Sequence, residues 1–410
     1  MPDHPLSDHP PTGRRFFITG LGIGQICAWG SLYYSFPLIA EAMGRDLGWS
    51  KPVLYGAATV GLLLAGAASY PVGAAIDRGH GRIIMTASAL LAGVLFILWS
   101  MTENVVVFYI AAAGLSGLQA SMLYEPAFAV AARRFGPSEA RDAITTLTLF
   151  GGFASTVFIP LVQAMMDGFG WRGALLGLGA LNLVLCAGLH WLAIDPAKDR
   201  PRPAAPDRPP LEGRAAVAAV SRSPVFWLLG VSFVAYALAF SAFTYHLYPL
   251  LIERGLDAGT VVAIMAVIGP AQVAGRIVVR VFAPRAPVRS IGSVIVGIFP
   301  LVIAGFCLVP PDLLPVAMLA ACYGAGNGVL TIVRGLAVPE MLTDEAYGAV
   351  NGIIGAPAQI MRALAPLLAA WLWAFTGSYA AVLLAILMGS IVMAASFWAA
   401  AMMARPPRKF

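Results

Sequence analysis

Long apolar runs separated by short polar breaks set the rhythm of this chain, and that rhythm predicts its elements. The runs fall near 16–43, 52–76, 83–102, 104–131, 142–166 and 173–194. A second set follows near 224–252, 259–283, 290–309, 312–338, 348–374 and 378–403. A helix rises 1.5 Å per residue, so roughly 20 apolar residues cross the hydrocarbon of a bilayer, and every run reaches that length. The pattern predicts an all-α membrane protein of twelve transmembrane helices. Between the sets lies a stretch rich in proline and arginine (DPAKDRPRPAAPDRPPLEGR), which predicts a solvated, extended linker. The expected division is a tail at 1–15, a half at 16–194, a linker at 195–222, a half at 223–403 and a tail at 404–410.

The two sets repeat one another. The segment from Ser31 to Glu41 (SLYYSFPLIAE) recurs from Ser241 to Glu253 (SAFTYHLYPLLIE), two residues longer. Ala143 and Pro160 fall in register with Ala349 and Pro366, and GWRGALL at 170–176 pairs with GSYAAVLL at 377–384. Such a duplication predicts two pseudo-symmetric six-helix halves, with any solute site between them near the membrane midplane.

Composition sharpens this picture. Hydrophobic residues make up 59% and charged residues 11% of the chain, about half the usual charged share. Mean hydropathy is +0.81. The 43 glycines and 30 prolines fit membrane helices, where both are enriched. A net charge of +6 would suggest nucleic acid in a soluble protein, but here it reports topology. Arg14, Arg15, Arg78, Arg82, Arg133, Arg134, Arg141, the linker cluster, Arg285, Arg289 and the Arg405–Lys409 tail all fall on one side. The other side carries Arg45, Lys51, Arg172 and Arg254. By the positive-inside rule, both termini are expected in the cytoplasm of a multi-pass plasma-membrane protein, with a bacterial inner membrane the expected setting. Met1 to Arg15 has no signal-peptide core, so the first run is expected to be retained. Cys27, Cys186, Cys307 and Cys322 show no CxxC spacing, so neither a disulfide framework nor a metal site is expected.

At Gly73, Asp77, Arg78, Gly81 and Arg82 (GAAIDRGHGR) the chain resembles the loop signature of the major facilitator superfamily, which joins the second and third helices. The resemblance implies the twelve-helix fold of that family and a loop whose charged contacts gate the rocking of the halves. Tyr124-Glu-Pro-Ala-Phe, Arg133-Arg-Phe, Arg141, Gly151, Pro160-Leu and Phe169-Gly-Trp-Arg-Gly173 are similar to the monocarboxylate-porter and oxalate/formate-type branch. In the eighth helix Arg276 follows Gln272 by four residues, where the family commonly has an Asp-to-Arg pair. The resemblance implies that Arg276 holds a substrate carboxylate. Two positions depart from the animal members of that branch. Leu38 stands where they carry a lysine after Phe36-Pro37, and Gln272 replaces the aspartate.

An ionised group inside hydrocarbon costs roughly 2.5 kcal/mol or more, so the charges within spans are the informative residues. These are Glu125, Arg276, Arg334 and Arg362. A guanidinium suits a carboxylate because its planar fork offers paired donors, although Arg276 also lies near enough to its helix end to snorkel. Arg362 sits mid-span on a stripe with Asn351, Gly355, Gln359 and Pro366, where solute binding and a purely structural clamp remain open. Tyr323, Asn327, Thr331 and Arg334 share one face of the tenth helix. In the register of Gly117 and Gly326, Glu125 and Arg334 are equivalent positions. They are candidates for a proton-sensitive ion pair, or for a permanent one that fixes packing. Gln25, Tyr33, Tyr124 and Tyr245 add candidate solute contacts, with Trp29, Ser241 and His246 nearby. Gly20, Gly22 and Gly24, and Gly324, Gly326 and Gly328, are expected to be close helix contacts.

No Walker sequence, catalytic triad or zinc spacing occurs in the chain, so no cofactor or metal is expected, and the sequence points away from ATP-driven pumping and catalysis. The leading expectation is a secondary transporter of a small organic anion, monocarboxylate-like, with protons as a candidate coupling ion. An exporter of drugs or of neutral or toxic solutes such as metalloid acids is the alternative on the same fold. A receptor or a membrane enzyme built on Glu125 and His246 leaves the duplication unexplained. The expected partners are a small-molecule solute and the bilayer, not nucleic acid, and one chain supplies both halves of a monomeric pathway.

Overall fold

The computed structural model describes residues 11–198, 218–283, 285–342 and 347–404. Eleven helical stretches in it are long and apolar enough to cross a membrane. They are α1 (Gly13–Leu47), α2 (Lys51–Ala75), α3 (Arg78–Ser100), α4 (Val105–Phe135), one long stretch (Ala143–Lys198), α7 (Pro224–Glu253), α8 (Ala258–Phe282), α9 (Val288–Leu308), α10 (Leu313–Val338), α11 (Ile353–Thr376) and α12 (Tyr379–Met403). The long stretch has 56 residues, about 84 Å if straight, against a hydrocarbon core of about 30 Å. It reverses at Gly170, whose φ of 69° suits a residue without a Cβ. Beyond the reversal, Met165 lies against Gly177. The stretch therefore holds two helices, α5 (143–169) and α6 (171–193), and the total is the twelve that hydropathy predicts.

A second reversal hides inside the helical segment Tyr124–Gly152. The Tyr124 hydroxyl donates to the Thr148 carbonyl at 3.3 Å, whereas a straight helix would hold these residues about 36 Å apart. The chain thus doubles back between α4 and α5. Among the described residues there is no strand.

Two six-helix halves result, α1–α6 and α7–α12. They meet where α2 packs on α11, α5 on α8, and α1 on α7. Within the second half, α8 and α10 approach until a Cβ at Gly324 would stand 2.6 Å from the Ile268 carbonyl oxygen, so the glycine steps are close helix contacts. An even number of helices in each half puts the start of α1, the end of α6, the start of α7 and the end of α12 at one end, here the near end. Linker residues 199–217 and the tails at 1–10 and 405–410 lie outside the described residues.

Prolines inside these helices remove N–H groups, and each freed carbonyl described next is answered by another helix. Pro126 frees Met122, whose carbonyl accepts from Gln25 at 2.9 Å. Pro366 frees Arg362, answered by Ser241 at 2.8 Å. Pro249 frees Tyr245, answered by Tyr55 at 3.1 Å, and Pro270 frees Ala266, answered by Thr156 at 2.9 Å. The last two bonds cross between the halves, so the helix breakers also tie the halves together.

Candidate functional site

The first half aims its aromatic residues through two local irregularities. Gly30–Tyr34 of α1 is a π segment, in which the Ser35 N–H reaches back five residues to Gly30. With that shift the Leu32 carbonyl would face Pro37, which has no N–H to give. Gln119 of α4 supplies the donor instead, at 3.2 Å. α4 is itself broken at Leu123, where the backbone is extended, and there Gln25 of α1 answers Met122. The two glutamines form a reciprocal lock that fixes one irregular segment against the other. Above it, Trp29 lies 5.4 Å from Tyr33 and 4.9 Å from Tyr124, and Tyr33 lies 5.2 Å from Tyr34.

Facing this cluster, α7 presents Tyr236, Phe240 and Thr244 at four-residue steps, one face of a helix. Tyr236 donates to the Asn327 side-chain oxygen, and the Tyr323 ring packs 4.5 Å from Phe243. A narrow gap lies between the halves, lined among others by Tyr34, Ser155, Phe240, Thr244, Gln272 and Tyr323.

The three arginines ring this region, and all come from the second half. Arg276 donates from Nε to the Gly328 carbonyl at 3.1 Å and from Nη2 to Thr331 at 3.4 Å. Arg334 lies 5.6 Å from the Phe233 ring and 5.4 Å from Tyr236, and its buried Nε has no hydrogen-bond partner. Arg362 lies 5.7 Å over Phe240, and the Tyr33 hydroxyl turns toward it without closing a full hydrogen bond. Among the described residues none of the three pairs with a carboxylate within 4.0 Å. Their charge rests on aromatic faces, carbonyls and hydroxyls. Glu125 is exposed and unpaired within the same limit, yet near enough for its charge to act on both Arg334 and Arg362. Glu125, Thr331 and Gln359 are exposed polar groups within the spans.

Of the residues singled out by sequence, Tyr33, Tyr124, Arg276, Tyr323, Asn327, Arg334, Arg362 and Glu125 thus gather around the region between the halves. Gln25 is fully buried; its Nε2 serves the helix lock by donating to Met122, while its Oε1 has no hydrogen-bond partner. Tyr245 joins the same aromatic cluster, its ring 5.2 Å from Tyr33 and 5.8 Å from Phe36. The signature loop sits apart at the near end. Ile76–His80 is a π segment with Gly79 at φ 95°, Arg82 stacks 3.8 Å over Trp191, and Gly81 packs on Val130. Gly73 ends α2 and Arg78 is exposed, while the side chains of Asp77, Arg141 and Asn351 lie outside the described residues. Tyr34, Tyr236, Phe240 and Thr244 escaped the sequence reading. Their four-residue step on α7 was the available signal, hidden in a run that is apolar throughout.

Two six-helix halves with intramembrane arginines gathered between them define an integral, multi-pass membrane transporter. The model of the Major Facilitator Superfamily matches residues 21–332, and the chain belongs to that family. Among similar proteins, monocarboxylate transporter 11 of Homo sapiens is 28% identical over 403 residues, 93% of this chain and 80% of the relative. Monocarboxylate transporter 13 of Rattus norvegicus is 25% identical over 372 residues, 83% of this chain and 79% of the relative. Among solved structures, a bacterial homolog of the human lysosomal transporter Spinster, inward-facing and unoccupied, aligns with a TM-score of 0.74. That likeness covers 98% of this chain and all of the other at 12% identity. The nucleoside transporter NupG aligns with a TM-score of 0.74 at 14% identity, over 95% of this chain and 99% of that one.

Proposed function

We propose that the protein is a secondary active carrier of a small organic anion, monocarboxylate-like, working by alternating access. One observation carries this reading: three guanidinium groups surround the region between the halves, and none has a carboxylate partner among the described residues. A cation left so in a membrane is costly unless a ligand completes it. Arg276, with one edge spent on Gly328 and Thr331, keeps donors free for a carboxylate. Arg362 and Tyr33 offer a second contact, and Tyr124, Tyr323 and Asn327 shape the walls. Glu125 acts as the proton-sensitive partner: ionised, it draws Arg334 or Arg362 across the cavity, and protonated, it releases them for cargo. The relatives named monocarboxylate transporters support the same class.

The halves are bounded at 16–194 and 223–403, with the linker at 195–222 and both termini in the cytoplasm of a bacterial inner membrane, and one chain suffices. The signature loop from Gly73 to Arg82 gates the near end. Purified protein tests the reading by thermal stabilisation against lactate, pyruvate, oxalate, a neutral metalloid acid and a cationic dye, followed by liposome uptake of the hits. Carboxylates are expected to stabilise the wild type, and Arg276→Ala to abolish that effect. Glu125→Gln is expected to remove the dependence of uptake on a pH gradient while leaving exchange of bound cargo. Stabilisation by the neutral acid or the dye alone would overturn the anion reading in favour of the exporter.

A further inference from the structure

The far end, away from both chain termini, is closed by a cluster that the cargo site does not use. Lys51 opens α2 and pairs with Glu41 of α1 at 2.6 Å, the two side chains only 12% and 16% exposed. The same ammonium stands 4.8 Å over the Trp373 ring of α11 and 5.5 Å over the Tyr379 ring of α12. Glu253 of α7 builds this cage, accepting from Trp373 Nε1 at 2.6 Å and from the Tyr379 backbone N–H at 2.7 Å. One turn further along α2, Tyr55 stacks on His246 at 4.1 Å. His246 Nε2 donates to the Pro366 carbonyl at 2.8 Å, which leaves Nδ1 to accept from the Tyr379 hydroxyl at 2.9 Å.

The partners divide by half. Lys51 and Glu41 belong to the first half and travel together. Glu253, Trp373, Tyr379 and His246 belong to the second, and their polar atoms answer each other or that half's backbone. Only ring faces, one cation over two rings and a few hydroxyl contacts cross the gap. An ion pair across the gap would leave two buried charges stranded whenever the halves parted. A cation that keeps its own carboxylate and lends only its outer face to an aromatic cage strands nothing.

We propose that Lys51 is the latch of the far gate, with Trp373 and Tyr379 as its keeper and Glu41 as the partner that retains it when the gate opens. This inference goes beyond the proposed function, and its test needs no cargo. Spin labels are placed at Glu103→Cys and Asp312→Cys, exposed far-end positions on opposite halves, with the exposed Cys307 and Cys322 replaced by serine. Pulsed dipolar spectroscopy on purified protein then reads the distance across the far end. The unmodified gate is expected to give one short distance. Lys51→Met and Trp373→Leu are expected to add a longer one, raising the open fraction on the order of tenfold. Lys51→Arg and Trp373→Phe, which keep a cation and a ring, are expected to retain the short distance. A near-end pair at Ala197→Cys and Arg285→Cys, exposed and outside the signature loop, is expected to shorten in the variants that open the far end, which a loosened fold would not do. An unchanged distribution in Lys51→Met and Trp373→Leu, or Lys51→Arg behaving as Lys51→Met, overturns the latch. Should Lys51→Met fail to fold, the Trp373 pair of variants decides alone.

Discussion

The two halves share one topology but differ in where they keep their polar atoms. The first half is irregular at its centre: α1 slips into a π segment at Gly30–Tyr34 and α4 breaks at Leu123. Two of its intramembrane amides, Gln25 and Gln119, are spent on carbonyls that those irregularities and their prolines set free. In the second half, α7 and α10 run as uninterrupted helices of 30 and 26 residues. By the repeat, Gln25 corresponds to Ala235 and Gln119 to Gly328, so no amide lock exists there. Instead the Gly328 carbonyl receives Arg276. The duplicated frame has therefore been put to two uses. One half shapes and hinges the cavity, and the other charges it.

The largest effect should come from the charged half. Arg362 lies mid-span, with its backbone held by Ser241 and its guanidinium over Phe240 and facing Tyr33. Arg362→Leu keeps the helix but removes the donors, and uptake of an anionic cargo is expected to fall roughly a hundredfold. Arg362→Lys keeps the charge without the fork and is expected to recover part of that loss. Normal uptake by Arg362→Leu in reconstituted vesicles would strike Arg362 from the cargo contacts and leave Arg276 and Arg334 to charge the cavity.

A smaller effect, of a different kind, is expected from the hinge. Gln25→Leu or Gln119→Leu leaves one buried carbonyl unanswered, at a cost of about 1–3 kcal/mol. The thermal midpoint should fall, and cargo affinity should weaken severalfold, because Trp29, Tyr33 and Tyr124 are aimed by the segments these amides tie. The double variant is expected to cost less than the sum of the two, since each amide supports the geometry the other needs. Strict additivity would make them two unrelated bonds.

The sequence exposed the charges better than their surroundings. Hydropathy and the Ser31/Ser241 repeat were enough for twelve helices and two halves, because lipid leaves the backbone little choice. Arg276, Arg334 and Arg362 stood out because a cation in an apolar run is rare. That their neighbours would be rings rather than acids was not legible, since Phe233, Tyr236 and Phe240 look like ordinary membrane-helix residues. Gln25 was legible as polar, but its purpose depends on Pro126, a residue on another helix that frees the carbonyl it meets. Lys51 looked like one charge in an outer loop. Its cage rings, Trp373 and Tyr379, stand more than 300 positions away, beyond the reach of any local pattern.

The smallest effect sharpens the comparison at two equivalent helix starts. α2 and α8 correspond in the repeat and begin after Ser50 and Asp257. Asp257 caps its helix: the Thr260 hydroxyl donates to it at 2.6 Å and the Thr260 N–H at 3.0 Å. Those bonds favour the ionised form and hold its carboxyl below the ordinary carboxylate range. Ser50 makes no such side-chain bond, and the next residue is Lys51, drawn instead to Glu41 and the aromatic cage. Asp257→Ala is therefore expected to lower the thermal midpoint by about 1–2 °C at neutral pH, and Ser50→Ala to leave it unchanged. The sign with pH follows from the lowered folded value. The stabilisation is full above the unfolded carboxyl value of about 3.9 and fades as pH falls through the folded one, so the deficit of Asp257→Ala should narrow below about pH 4. A deficit at Ser50 equal to that at Asp257, measured side by side in one detergent, would mean that the two helix starts are held alike and that the first half has not traded its cap for the latch.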